Sequence, residues 1–232
     1  MNSISKPVTA TSSGWFVRLA TWVVVLLIPV ALVLTSVRLF LTPLFINVEY
    51  RTPFFPPDPY GFTQSDRLYW SSIAREYLLN DQGISFLEDL RFEDGTAVFN
   101  DRELKHMVDA KDVVQKALIV WYGALLGLLG LGLWAWRGNW GEEFRRACMR
   151  GGWLTIILIG VIVVIVLISF GVFFVLFHEV LFDPGTWIFY YSDTLIRLFP
   201  ERFWRDAFLA VGGLSIAGGL ILALGLKPKP AG

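Results

Sequence analysis

The run from Gly151 to Phe177, "GGWLTIILIGVIVVIVLISFGVFFVLF", holds 27 residues without a charge and ends on His178 and Glu179. About 20 apolar residues suffice to carry a helix across the ~30 Å hydrocarbon core of a bilayer. Only a helix or a closed barrel satisfies its backbone groups there, and a run this long reads as a helix. The rest of the chain agrees with a membrane assignment. Charged residues make up 17% of the sequence and hydrophobic ones 55%, where a soluble chain carries about 25% charged residues.

Three other segments have the same character. The first, 19–41, has its apolar core at Leu19–Val37 and contains Pro29, which membrane helices tolerate. That core exceeds the h-region of a signal peptide and no A-x-A site follows, so an uncleaved helix is expected. The second span is 113–136, the third 151–177 and the fourth 207–226. Gly123 and Gly127 in the second, and Ser215, Gly219 and Ala223 in the fourth, are small residues at four-residue spacing, suited to close helix packing.

Lysine and arginine set the expected orientation. The connection 137–150 carries Arg137, Arg145, Arg146 and Arg150; the N-terminal 1–18 carries Lys6 and Arg18; the tail 227–232 carries Lys227 and Lys229. All three belong on the cytoplasmic side by the positive-inside rule. The segments 42–112 and 178–206 then lie outside. The first of these has 13 acidic and 7 basic residues, and segments that long cross largely regardless of charge. The expected fold is an all-α membrane protein with four transmembrane helices, N-in/C-in, and a small mixed extracellular domain between helices 1 and 2.

Within 42–112, "TPFFPPDPYGF" reads as a Pro/aromatic turn region around Asp58, Pro59 and Gly61. Leu68, Tyr69, Ser72, Ile73, Tyr77 and Leu78 recur at helical spacing, with Ser65 or Asp66 as cap, which suggests an amphipathic helix on the outer membrane surface. "FEDGTAVFN" has the Asp-Gly signature of a hairpin. "DRELKHMVDAKDVV" reads as a helix capped by Asp101 that runs into the second span. Cys148 is the only cysteine, which excludes an internal disulfide; it falls in the basic connection and is expected to be a free thiol.

The chain has two histidines. His106 precedes the second span by roughly 10 Å of helix, and His178 closes the third. Both therefore reach the outer membrane interface, on antiparallel helices joined by a short connection. Glu103 and Asp109 flank His106 at helical spacing and are expected to support it. A carboxylate beside an imidazole fixes its tautomer and raises its basicity. Taken singly, each histidine also reads as a solvated or interfacial residue. Asp193 and Arg197, at i,i+4, are expected to pair, and Arg197 or Arg38 to engage a lipid phosphate. "HEVLF" lacks the second histidine of a zincin motif, and "ELKH" is a single Glu-x-x-His where a di-iron bundle needs two. No metal site and no cofactor is expected.

Three stretches carry a resemblance: "RELKHMVDAKDVV" before the second span, "FHEVLF" closing the third, and "TLIRLFPERFW" before the fourth. They resemble the bacterial membrane proteins of the lipoprotein intramolecular transacylase (Lit) family, as does the four-span layout. Ala110 stands where that family usually has valine. The resemblance implies acyl transfer at the outer leaflet of the bacterial cytoplasmic membrane. The substrate would be a diacylated lipoprotein, whose sn-2 acyl chain moves from the glyceryl oxygen to the cysteine α-amine to give the lyso form. Membrane lipid is the other expected partner, and nucleic acid is not one. The family's two histidines fall on His106 and His178.

The chemistry fits two imidazoles. Aminolysis of an ester needs a base for an α-ammonium that titrates near pH 8 and an acid for the departing alkoxide. Both reactants belong to one molecule, so positioning removes much of the entropic barrier. The flanking carboxylates favour His106 as the base. Two readings compete: a bis-histidine haem protein, and a non-catalytic scaffold or sensor.

Overall fold

The computed structural model describes residues 14–226. Lys6, Lys227 and Lys229, used above for orientation, lie outside the described residues. Four helices are long and apolar enough to cross a membrane: α1 (Gly14–Phe40), α5 (Asp101–Arg137), α6 (Gly141–Ile168) and α9 (Glu201–Gly225). Between them lie α2 (Pro43–Glu49), α3 (Gln64–Leu79), α4 (Ser85–Glu88), α7 (Phe170–Leu181) and α8 (Thr194–Leu198).

Helix α6 packs along α9 and α1, and α1 packs also on α5 and α9. Small residues allow the closest approach. A side chain at Gly152 of α6 would meet the Gly219 carbonyl of α9 at 2.6 Å, and one at Gly219 would meet the Gly152 carbonyl at 2.9 Å. The stripe Ser215, Gly219, Ala223 is buried in this seam. The Ser215 hydroxyl is 3.1 Å from that of Ser36 on α1. Gly123 meets nothing, whereas Gly127 lies against Leu27 of α1.

The apolar run Gly151–Phe177 is divided. Ser169, with φ −152° and ψ 77°, leaves helical geometry and separates α6 from α7. The basic connection is largely helical as well, since α6 begins at Gly141. Cys148 is therefore a buried free thiol inside α6.

The outer elements form their own apolar core. Ala74 and Tyr77 of α3, Leu87 of α4, Val98 and Phe99, Leu104 and Met107 of α5, and Leu195 and Leu198 of α8 pack together. Helix α3 thus packs on α5 and α8; a place flat on the membrane is not what buries its apolar face. Its cap is Thr63, in a capping box with Asp66, and neither Ser65 nor Asp66 holds the N-cap position. The expected hairpin at "FEDGTAVFN" shrinks to one bridge between Arg91 and Ala97, around Gly95 at φ +83°. Among the described residues there is no strand, so this outer part is helical and irregular, not mixed.

A second cluster joins Ile46 and Tyr50 of the α2 region to Phe203 of α9. The Tyr50 hydroxyl donates to the Leu198 carbonyl at 2.6 Å. These contacts hold the outer layer on the membrane bundle.

Candidate active site

The start of α5 fixes His106. Asn100 is the N-cap, and its side-chain oxygen accepts from the backbone N–H groups of Arg102 and Glu103. Glu103 Oε2 accepts from the Asn100 N–H at 2.8 Å, completing a capping box. Glu103 Oε1 accepts from the Leu195 N–H of α8 at 2.6 Å. Both carboxylate oxygens are thus committed to backbone, and Glu103 is 1% exposed. The expected support of His106 by Glu103 is corrected: the carboxylate ties α5 to α8 and does not hydrogen-bond the imidazole. Asn100 takes the cap position expected for Asp101. Asp109 makes no hydrogen bond or ion pair among the described residues, so the expected carboxylate source of His106 basicity is missing on both sides.

His106 is instead surrounded by rings. Its centroid lies 4.8 Å from that of Phe182 and 5.3 Å from that of Phe189. Its Nδ1 is buried without a hydrogen-bond partner. His178 lies 6.2 Å away, centroid to centroid, with the two rings inclined by 23°.

His178 sits in the last turn of α7 and is buried. Its Nδ1 is 2.7 Å from the Phe174 carbonyl, one turn earlier. A carbonyl only accepts, so Nδ1 carries the proton, and the neutral ring keeps its lone pair on Nε2. Phe174 and Trp187 hold the ring at centroid distances of 4.1 and 4.9 Å. Orientation of this imidazole comes from its own helix and two aromatic neighbours.

The expected pair of Asp193 with Arg197 does not form. Asp193 binds Arg102 at 3.1 Å and the Asn100 amide at 3.2 Å, and accepts from the Tyr190 N–H at 2.9 Å. Arg197 binds Asp58 through Nε and Nη2 at 3.1 and 3.0 Å, and stacks 3.5 Å over the Phe62 ring. Each residue therefore organises the outer layer. Arg38 makes no hydrogen bond or ion pair among the described residues.

Two cavities meet at the histidines. The smaller, about 120 Å³, lies under the outer layer and is lined by Arg75, Met107, Trp187 and Leu195 as well as His106 and His178. The larger, about 400 Å³, runs between α1, α5, α7 and α9 and is almost wholly apolar. Leu34, Val114, Leu118 and Phe208 form its walls, and Trp121 is among its deepest residues along α5. The Trp121 indole N–H donates to Thr35 Oγ1 at 3.0 Å, which fixes that ring. No cluster of three or more potential metal ligands occurs among the described residues.

Arg75 is the polar residue that sequence reasoning missed. Helical spacing places it beside Ala74, on the margin of the buried face of α3, where it reads as a solvated charge. Its Nη1 donates to the Leu41 carbonyl at 3.1 Å, and its Nε is buried without a partner.

Comparison with known proteins places this architecture. A protein of Aquifex aeolicus (strain VF5), described as uncharacterized, is 30% identical over 220 residues, covering 91% of this chain and 95% of its own. The fold is similar to that of the membrane integral lipoprotein intramolecular transacylase Lit from Bacillus cereus. One structure of it has a TM-score of 0.62 at 22% identity, over 90% of this chain and 93% of that one. A variant with a histidine-to-arginine substitution has a TM-score of 0.68 at 22% identity, over 90% of each chain. The family described as "Lipoprotein intramolecular transacylase Lit" matches residues 22–204, and the chain is a membrane protein belonging to that family.

Proposed function

We propose that this protein is an intramolecular transacylase at the outer leaflet of a bacterial cytoplasmic membrane. It moves the sn-2 acyl chain of a diacylglyceryl-cysteine lipoprotein to the cysteine α-amine. The observation that carries this reading is the meeting of His106 and His178 at the junction of two cavities, one wide and apolar, one small and partly polar. A diacylated lipid has that same division. The apolar groove takes acyl chain, and the glyceryl and cysteine atoms lie between the imidazoles. The arginines of 137–150 gather at the α5–α6 end of the bundle, opposite the histidines, which supports an N-in/C-in orientation.

The reaction needs a proton removed from nitrogen and a proton delivered to oxygen. His178 is the base, because its Nδ1–H bond to Phe174 holds Nε2 ready to accept. This replaces the sequence-based preference for His106, whose carboxylate support is absent. The amine attacks the ester carbon and a tetrahedral species forms. The bond to the glyceryl oxygen then breaks, and His106 protonates that oxygen. The proton taken up by His178 then passes to His106, which returns both imidazoles to their starting states, so no cofactor or outside reactant is consumed. Phe182 and Phe189 beside His106, and Phe174 and Trp187 beside His178, give the site apolar walls that disfavour water next to the ester.

The test is expression with a diacylated lipoprotein in a host that lacks N-acylation, followed by mass spectrometry of the N-terminal lipopeptide. The expected product keeps the mass of the substrate but carries an amide on the cysteine nitrogen and a free glyceryl hydroxyl. An unchanged diacylglyceryl peptide beside correctly inserted protein would sink the assignment.

A further inference from the structure

Among the described residues, the two arginines of α3, Arg67 and Arg75, each have a buried Nε without a partner and no ion pair with a carboxylate, and of the two only Arg75 lines the cavity of the histidines. Arg102 pairs with Asp193, Arg197 with Asp58, and Arg202 with Asp206. Arg75 has no carboxylate partner among the described residues. One edge of its guanidinium is held by the Leu41 carbonyl, while the Nε–H is buried and donates to nothing. A buried cationic donor left without an acceptor is destabilising. Its presence is understandable if an anion, or an oxygen that becomes one, occupies the adjoining space. That space is the small cavity Arg75 shares with His106 and His178.

We propose that Arg75 binds the carbonyl oxygen of the acyl chain in transit and carries the negative charge that develops there. This inference rests on the transacylase reading above. When the α-amine attacks, a C–N bond forms and the carbonyl π pair moves onto oxygen. Arg75 holds that oxyanion by its Nε–H edge. When the pair returns, the C–O bond to glycerol breaks and the leaving oxygen takes its proton from His106. Arg75 neither gains nor loses a proton. Its catalytic value lies in meeting charge that appears only at the tetrahedral stage, in a site poor in water. The Leu41 anchor orients the guanidinium before substrate arrives.

The test uses the full-length protein in lipid nanodiscs and three synthetic lipopeptides. One is the diacylglyceryl substrate. The second has an anionic phosphonate at the sn-2 carbonyl, and the third has a neutral ether there. The wild type is expected to convert the first and to bind the phosphonate at least ~100-fold more tightly than the ether. In Arg75→Gln, kcat should fall ~10²–10³-fold with KM nearly unchanged, and the phosphonate preference should collapse towards one. A merely structural role would weaken both analogues alike and leave their ratio intact; that result overturns the inference, as does wild-type kcat in the variant. If Arg75→Gln does not fold, Arg75→Lys decides. A point charge in place of the planar fork should lower the analogue ratio by roughly tenfold, and an undiminished ratio overturns the proposal. Failure of the wild type to convert the first lipopeptide removes the transacylase reading and this inference with it. Conversion by the wild type with an unaltered ratio in the variant removes the inference alone.

Discussion

The imidazoles of His106 and His178 lie 6.2 Å apart between centroids and within 23° of parallel, although one stands near the start of α5 and the other at the end of α7. If they act on the same proton economy, their effects are coupled. His106→Ala and His178→Ala are each expected to lower lipopeptide conversion by at least ~10²-fold, the usual contribution of a positioned acid or base. The double variant should be little worse than the poorer single one, because residues acting as a unit are not additive. Single-turnover rates of the three variants check this. Fully additive losses would separate the two histidines into independent roles.

The placement of these histidines on one side was legible from sequence, because apolar length and arginine distribution fix which helix ends share a face. Their neighbours were not legible. Glu103 and Asp109 stand at helical spacing from His106, but spacing does not say which partner wins. The free backbone N–H groups at the start of α5 and α8 took both oxygens of Glu103. Asp193 and Arg197 failed to pair for a similar reason: each met a partner distant in sequence, Arg102 for the one and the buried Asp58 for the other. Arg75 was invisible because a charge at the edge of an amphipathic helix normally faces water. The small-residue stripe on α9 was readable, since a membrane helix has few other reasons to space Ser215, Gly219 and Ala223 at every fourth position.

The apolar groove predicts a chain-length limit. Trp121 lies 15 residues beyond His106 on the same helix, which is roughly 22 Å at 1.5 Å per residue. The groove has a volume of about 400 Å³ and is almost wholly apolar, so it takes an acyl chain of bounded length. Ala117 lies between the two ends of this groove. Ala117→Phe should shorten it and shift preference towards shorter acyl chains, at about fourfold in kcat/KM for each methylene denied burial. Trp121→Ala should favour longer ones. A series of lipopeptides differing only in sn-2 chain length measures both; identical profiles for all three proteins would place the acyl chain elsewhere.

The Asp58–Arg197 pair predicts a stability defect away from the chemistry. The Asp58 side chain is 0% exposed and that of Arg197 14%. Burial pushes the Asp58 carboxyl up, but hydrogen bonds from Arg197 and the Phe62 N–H outweigh it and hold it below the usual carboxylate range. A lowered value contributes stability at pH above the unfolded carboxyl's ~4 and loses it as pH falls further. Asp58→Asn leaves the guanidinium buried and unpaired, and should destabilise the outer layer by about 3 kcal/mol at neutral pH. The gap between the two proteins should narrow in acid. Thermal unfolding in detergent at pH 3 to 7 reads this directly, and equal melting temperatures at neutral pH would contradict it.

Glu49 predicts the opposite pH dependence. It ends α2, is 4% exposed, and its Oε1 has no partner. Burial, and then the charge and hydrogen bond of Asp206, push its carboxyl up to about 7, against the smaller opposing pull of Arg202 and Arg205. The folded protein therefore holds a proton that the unfolded chain releases near pH 4.5. Stability from this group is fully present below that value and is lost as pH rises through about 7. Above it, an ionised Glu49 faces Asp206 in a site with little solvent. Glu49→Gln keeps a donor for Asp206 and cannot ionise. Its melting temperature should match the wild type near pH 4 and exceed it increasingly from pH 5 to 8, with the largest separation beyond pH 7. Because α2 packs with Phe203 at the head of α9, the gain should appear in the transition that releases the outer layer. A variant whose melting temperature tracks the wild type across the whole range would mean that Glu49 reaches water, and that its burial is not what ties α2 to α9.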